Sequence, residues 1–250
     1  MQRMSLKGEK MVYRKCVVLY NEKNRKKWST TMQMKKIKIC GITTETEIEY
    51  LAEAGVDYAG FVQFFPKSKR NIPLERARDL IRLLPASIRA VAVTVSPKEE
   101  QLEAIVAAGF SLVQIHGAID DEVIRKISIP VLKAFNVSDL EAFSHYEQMD
   151  QVVGVVLDAP QPGSGQVFDW SVLKELPVTE KMILLAGGLT PDNVGEAIRV
   201  LGARVDGVDT SSGVENDNGV GKSREKIQEF VRRVRGQETA REHKTAPSAK

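Results

Sequence analysis

Cys40 stands at the end of a short apolar run, in Lys38-Ile39-Cys40-Gly41-Ile42-Thr43, where a strand gives way to a glycine turn. A lone thiol at such an edge is a candidate catalytic group; a small buried apolar residue is the alternative reading. Asp158 closes a second apolar run, 152–157. A carboxyl emerging from apolar surroundings is partly desolvated, which raises its pKa and suits it to general-acid work; capping a loop or helix is the alternative. Lys67-Ser68-Lys69-Arg70 follows Phe64-Phe65-Pro66. An Arg at that point could clamp a carboxylate with two parallel N–H bonds, with Phe64 or Phe65 lining a flat apolar pocket; a solvated basic loop is the alternative. In Val113-Gln114-Ile115-His116-Gly117, His116 is either a polar pocket wall or a loop-structuring residue. No Ser or Asp is paired with it in sequence, so no triad is readable.

Glycine-rich stretches follow later strands: Gly163-Ser164-Gly165, Gly187-Gly188 and Ser211-Ser212-Gly213. Backbone N–H groups in such loops can hold a phosphate, and glycine lets the backbone come close. Ordinary turns are the alternative. Asp209 precedes the last of these loops and either orients a substrate hydroxyl or caps the loop. Gly219-Val220-Gly221-Lys222-Ser223 imitates a nucleotide-binding P-loop, but Asn216 stands where that motif needs its first glycine, and no apolar strand leads into it.

Positioning these groups together requires a repeated element. Short β-branched runs at 37–40, 58–62, 90–95, 112–115, 131–135, 152–157, 182–186 and 207–209 read as strands. Helical-period segments at 46–54, 74–83, 98–108, 120–127, 140–148, 171–176, 191–201 and 222–235 alternate with them. Eight βα units in about 200 residues predict a single (β/α)8 TIM barrel of the α/β class, with its chemistry at the C-terminal strand ends. A doubly wound open sheet is the rival, but the first strand is not followed by G-x-G-x-x-G.

The chain has 250 residues, 42% apolar and 28% charged, enough for one sizeable core. No apolar run approaches the roughly 20 residues that span a bilayer. Two cysteines and three scattered histidines form no disulfide framework and no metal-ligand spacing. A reducing, cytoplasmic setting is therefore expected. Residues 1–33 hold nine Lys/Arg against two Glu, a net of +7 that leaves −4 for the rest of a chain whose total is +3. This basic segment reads as a nucleic-acid arm, a targeting peptide or an early-start extension. Met34 before Lys35-Lys36 reads as a natural start, so we expect an extension at 1–33, a catalytic barrel at 34–236 and a disordered tail at 237–250.

Taken together, K-I-C-G-I-T, P-K-S-K-R, V-Q-I-H-G, the L-D to G-S-G-Q-V-F-D-W stretch, A-G-G-L-T-P-D-N-V and D-T-S-S-G-V-E resemble the phosphoribosylanthranilate isomerase family of tryptophan biosynthesis, over roughly 35–236. The resemblance implies a (β/α)8 barrel and an Amadori rearrangement of N-(5-phosphoribosyl)anthranilate, with no metal or organic cofactor. It implies Cys40 as general base, Asp158 as general acid, and Arg70 on the anthranilate carboxylate. Asp209 would lie near the sugar, and Gly165, Gly187, Gly188, Ser211, Ser212 and Gly213 around the phosphate, with Gln114 and His116 as further substrate-binding positions. Three departures from the family pattern stand out: an additional residue within 60–66, Val93-Thr94-Val95-Ser96 in place of a V-F-V-N stretch, and Gln166 where Lys is common. The expected partner is a small phosphoribosyl substrate, with no nucleic acid and no membrane, and the protein is a monomer or a homodimer. Another phosphosugar barrel, or a nucleic-acid-binding protein acting through 1–33, is the alternative. Metal-dependent epimerases would need His/Asp ligand sets that are absent from the sequence.

Overall fold

The computed structural model describes residues 34–136, 142–158 and 179–245, with side chains as far as 236. Among these, β1 (Lys36–Cys40), α1 (Glu45–Ala54), β2 (Tyr58–Val62), α2 (Leu74–Leu83), β3 (Arg89–Val95) and α3 (Glu99–Ala107) come first. Then follow β4 (Leu112–His116), α4 (Asp121–Lys126), β5 (Val131–Asn136), α5 (Phe143–Glu147) and β6 (Val152–Asp158). The chain ends with β7 (Met182–Leu185), α6 (Val194–Leu201), β8 (Gly207–Thr210) and α7 (Arg224–Thr245). Each strand pairs in parallel with its neighbour in sequence, and β1 pairs with β8, so the sheet closes into a (β/α)8 barrel. The helix expected at 171–176 and Gly165 lie outside the described residues.

Closure follows from the pattern of the strands. On β2, Tyr58 and Val62 pack with Val91, Val93, Leu112, Leu132, Val156 and Leu184 in the barrel interior. Ala59 and Phe61 of the same strand join Leu51, Leu80 and Ile105 of the helices in the outer layer. A period of two thus divides each strand between two apolar environments, and both are buried, as parallel strands require.

Local chemistry sets the loop after β1. Thr44 caps α1, its hydroxyl accepting from the Glu47 N–H at 3.3 Å, while Glu47 Oε2 accepts from the Thr44 N–H at 3.1 Å. The same oxygen accepts from the Thr43 N–H at 2.6 Å, so the capping box also holds the turn that leaves Cys40. Gly55, left-handed at φ 69°, ends the helix.

Three expectations need correction. The helix read from 191 begins at Val194, because Asn193 Oδ1 accepts from the Thr190 N–H and draws 190–193 into a turn. The last helix begins at Arg224, since Lys222 bridges to Glu215, and it runs to Thr245 through a segment read as disordered. The stretch after 236 is rich in Glu, Arg, Lys, Gln and Ala, all strong helix formers; its lack of apolar period says only that no face need be buried. In the stretch that carries the additional residue, Phe64 sits at φ 57°. That left-handed step lets the loop close again where Val62 bridges to Asn71.

Candidate active site

β1 places Lys38 and Cys40 on the inward side of the barrel. The register sets Lys38 level with Asp209 of β8, and Lys38 Nζ donates to Asp209 Oδ2 at 2.8 Å. Both side chains are buried, Lys38 completely. Asp209 therefore does not cap the loop after β8. Its Oδ1 is buried and has no hydrogen-bond partner among the described residues. Burial opposes the Lys38 charge, but Asp209 and Cys40 outweigh it and raise the lysine pKa. Cys40, the last residue of β1, is partly exposed. Burial of the sulfur pushes its pKa up, and Asp209 adds to this; Lys38 and Lys222 pull the other way without overcoming it. Gly60 of β2 leaves open the space on which the sulfur and the ammonium converge. A Cβ there would lie 3.0 Å from Cys40 Sγ and 3.1 Å from Lys38 Nζ.

Around the same interior, β4 contributes Gln114 and His116. Gln114 Nε2 lies 2.8 Å from His116 Nε2. The two side chains share a hydrogen bond whose direction follows the imidazole tautomer, and the ring is neutral. Burial, followed by repulsion from Lys38 and Lys133, lowers the His116 pKa to about 4, in keeping with that state. Asp158 is the last residue of β6, half-buried and in register with Asn136 at the end of β5.

Arg70 is held from behind. Its Nε donates to Glu215 Oε1 at 2.5 Å. Glu215 also accepts from Lys69 Nζ at 2.9 Å and from Lys222 Nζ at 3.4 Å. Burial works against the Glu215 charge, but the Arg70 and Lys69 hydrogen bonds and the Lys222 charge hold its carboxyl at about 2. Lys222 Nζ donates in turn to Ser211 O at 2.9 Å, and Ser211 Oγ donates to Cys40 O at 2.9 Å. The Arg70 loop, the loop after β8 and the end of β1 are thereby tied into one network. The lysine of the P-loop imitation is spent inside it. Of the two candidate pocket phenylalanines, Phe65 packs against the interior cluster and Phe64 against the outer layer.

The glycine loops after β7 and β8 are bound to each other. Gly187 and Gly188 are both left-handed, at φ 84° and 66°. Thr210 Oγ1 donates to Leu189 O at 2.6 Å, and Asn193 Nδ2 donates to Gly188 O at 2.9 Å. Ser212–Val214 turn once as a 3-10 helix, with Gly213 packed against Leu189.

The structure thus brings Cys40, Arg70, His116, Asp158, Gly187, Gly188, Asp209, Ser211, Ser212 and Gly213 to strand ends or to the loops that follow them, and places Gln114 buried in the middle of β4. Lys38, Glu215 and Lys222 were not singled out from sequence. Lys38 had a readable signal: a charge between Ile37 and Ile39 in a strand must point away from the outer apolar layer. Glu215 and Lys222 had none, since only the fold sets them on Arg70 and Ser211.

A family model described as N-(5'phosphoribosyl)anthranilate (PRA) isomerase matches residues 37–233. The N-(5'-phosphoribosyl)anthranilate isomerase of Streptococcus gordonii is 42% identical over 203 residues, covering 81% of this chain and 98% of that protein. The crystal structure of phosphoribosyl anthranilate isomerase from Thermotoga maritima superposes with a TM-score of 0.72 at 37% identity, covering 81% of this chain and all of that one. A phosphoribosyl anthranilate isomerase in complex with reduced 1-(o-carboxyphenylamino)-1-deoxyribulose 5-phosphate superposes with a TM-score of 0.70 at 35% identity, over 81% and 100% of the two chains.

Proposed function

The chain belongs to the N-(5'-phosphoribosyl)anthranilate isomerase family, and from that premise we propose that it converts N-(5-phosphoribosyl)anthranilate to 1-(2-carboxyphenylamino)-1-deoxyribulose 5-phosphate in tryptophan biosynthesis. The observation that carries the mechanism is the position of Cys40 and Asp158 as the last residues of β1 and β6. The two strands are not neighbours in the closed barrel, so a sugar between them meets an acid on one side and a base on the other.

Asp158 protonates the furanose ring oxygen; the C1–O bond breaks and the nitrogen lone pair forms the C1=N bond of a protonated Schiff base. Cys40, as thiolate, takes the C2 proton. The C–H electron pair becomes the C1=C2 bond of an enolamine, which tautomerises to the ketone. C1 is reduced as C2 is oxidised within the one substrate and no net oxidation occurs, so the chemistry calls for no redox partner. Each positioned acid or base contributes about 10²–10⁴-fold.

The substrate groups find matching chemistry. Arg70 has its Nε on Glu215, which leaves the terminal nitrogens to form the two-pronged grip on the anthranilate carboxylate. Gly187, Gly188 and the Ser211–Gly213 turn take the phosphate through backbone N–H groups, at the loops after strands seven and eight where such barrels commonly bind it. Asp209 Oδ1 accepts from a sugar hydroxyl. A cytoplasmic setting, in which Cys40 remains a free thiol, goes with this reading; no helix among the described residues is long and apolar enough to cross a membrane.

The test is a coupled assay in which anthranilate, phosphoribosyl pyrophosphate and a separate phosphoribosyltransferase generate the substrate in place. Loss of its fluorescence on adding this protein is the expected result. No loss with a folded, soluble protein overturns the proposal.

A further inference from the structure

A lysine wholly inside an apolar barrel needs a reason. Lys38 is 0% exposed and Asp209 6%, and the two form an ion pair one layer below Cys40. A buried ion pair is weak evidence for a stabilising role, because desolvation of both charges offsets much of their attraction. This pair is also not closed upon itself, since Asp209 Oδ1 has no partner among the described residues. On its other side the ammonium is near enough to the Cys40 sulfur for the two charges to act on each other. Lys38 Nζ and Cys40 Sγ converge on the space above Gly60, within 3.1 and 3.0 Å of one point where any side chain would begin. Glycine at 60 is not demanded by its φ, so its requirement is this space.

We propose that Lys38 is a positioning residue for the reaction: its ammonium, fixed by Asp209, is the counter-charge against which Cys40 gives up its proton. The inference rests on the reading of Cys40 as the base. The thiol proton leaves to water before the substrate covers the mouth, and the thiolate then takes the proton from C2. The charges facing Cys40 come from several elements. They are Lys38 on its own strand, Asp209 on β8, and Lys222 in the loop before α7. Arg70 lies beyond Gly41, where its Cγ is 3.2 Å from the site of a Cβ. Its own carboxylate partner, Glu215, stands behind it, and His116 on β4 is neutral. Of these, Lys38 has the largest effect favouring the thiolate, larger than the opposing effect of Asp209.

The test reads the thiol directly. In the full chain with Cys16→Ala, so that Cys40 is the one thiol, its alkylation by iodoacetamide is followed against pH by intact mass, for the parent and for Lys38→Met. The paired variant Lys38→Met/Asp209→Asn removes both charges and leaves no buried carboxylate unpaired, which keeps the test open if the single variant does not fold. Turnover against pH is measured on the same samples. We expect the alkylation midpoint to move up by a unit or more in the single variant, a tenfold loss of thiolate at a given pH below it. We expect a smaller rise in the paired variant, and the rising limb of kcat to move with each. A folded variant whose alkylation midpoint does not rise overturns the inference and leaves Lys38 a structural residue. A parent protein that consumes no substrate overturns the functional reading instead, whatever the thiol does.

Discussion

Gly213→Ala separates the phosphate loops from the rest of the barrel. Gly213 does not carry a positive φ, so alanine brings no backbone strain. The difficulty is space: the added methyl would lie 2.9 Å from the Leu189 carbonyl carbon and 2.9 Å from Thr210 Oγ1, and would overlap the Leu189 oxygen between them. The nearest neighbour is backbone, which cannot swing aside as a side-chain tip can. Relief to ordinary contact requires the loops after β7 and β8 to part by about 1.5 Å, and overpacking of this kind costs about 1–3 kcal/mol. Parting also breaks the 2.6 Å bond from Thr210 to Leu189 that joins the two loops. A misplacement of about 1 Å in a binding site can cost up to about 10²-fold. KM should therefore rise by one to two orders of magnitude, inhibition by inorganic phosphate should weaken in parallel, and Tm should fall by about 2–12 °C at about 2–4 °C per kcal/mol for a domain of this size. Gly55→Ala is the control. Its φ of 69° brings strain of about 1–2 kcal/mol, but nothing lies within 4 Å of the new methyl. It should lower Tm by a comparable amount and leave KM unchanged. A Gly213→Ala enzyme with the KM and phosphate inhibition of the parent would refute the placement of the phosphate.

Gly60→Ala drives a methyl between Cys40 Sγ and Lys38 Nζ; kcat should fall at least tenfold with KM little changed, as steady-state kinetics would reveal. Glu215→Gln removes the charge that anchors the Arg70 Nε; KM should rise more than kcat falls, and a titration with anthranilate should weaken alike. The Glu215 carboxyl is held at about 2, below its unfolded value. Its contribution to stability is present above about pH 4.5 and is lost as pH falls toward 2, so acid melts should show the Glu215→Gln protein losing less over that window. His116 behaves in the opposite chemical sense with the same direction in pH. With its pKa at about 4 in the fold against about 6.5 unfolded, the unfolded chain gains its proton first. Stability should fall between pH 6.5 and 4, and His116→Gln should flatten the Tm profile there.

Much of this architecture can be read from residues alone, because a parallel barrel writes each buried strand as a short apolar run and each crossover as a helical period. Ile37 to Cys40 and Val152 to Asp158 are legible in that way, and with them the edge at which chemistry occurs. Where local chemistry competes with the period, the reading fails. Asn193 turns the backbone ahead of α6, and Phe64 takes a left-handed step that no propensity announces. The extent of α7 past residue 236 is missed for another reason: a run of good helix formers without an apolar period leaves no amphipathic signature to read. Within the site, residues at strand ends are visible, whereas the groups that hold them are not. Glu215 is brought behind Arg70 by closure of the barrel, from 145 residues away in the chain, and Lys222 is brought behind Ser211 by the loop after β8 folding back on itself where Glu215 and Lys222 bridge.

The central claim is that Cys40 and Asp158 move the protons of an isomerisation. It is tested most directly by comparing kcat of the parent with Cys40→Ala and Asp158→Asn in the coupled fluorescence assay, with binding of reduced 1-(o-carboxyphenylamino)-1-deoxyribulose 5-phosphate measured beside it. The account predicts that each substitution lowers kcat by about 10²–10⁴-fold while binding is largely retained. Parent-like turnover in either variant would contradict it.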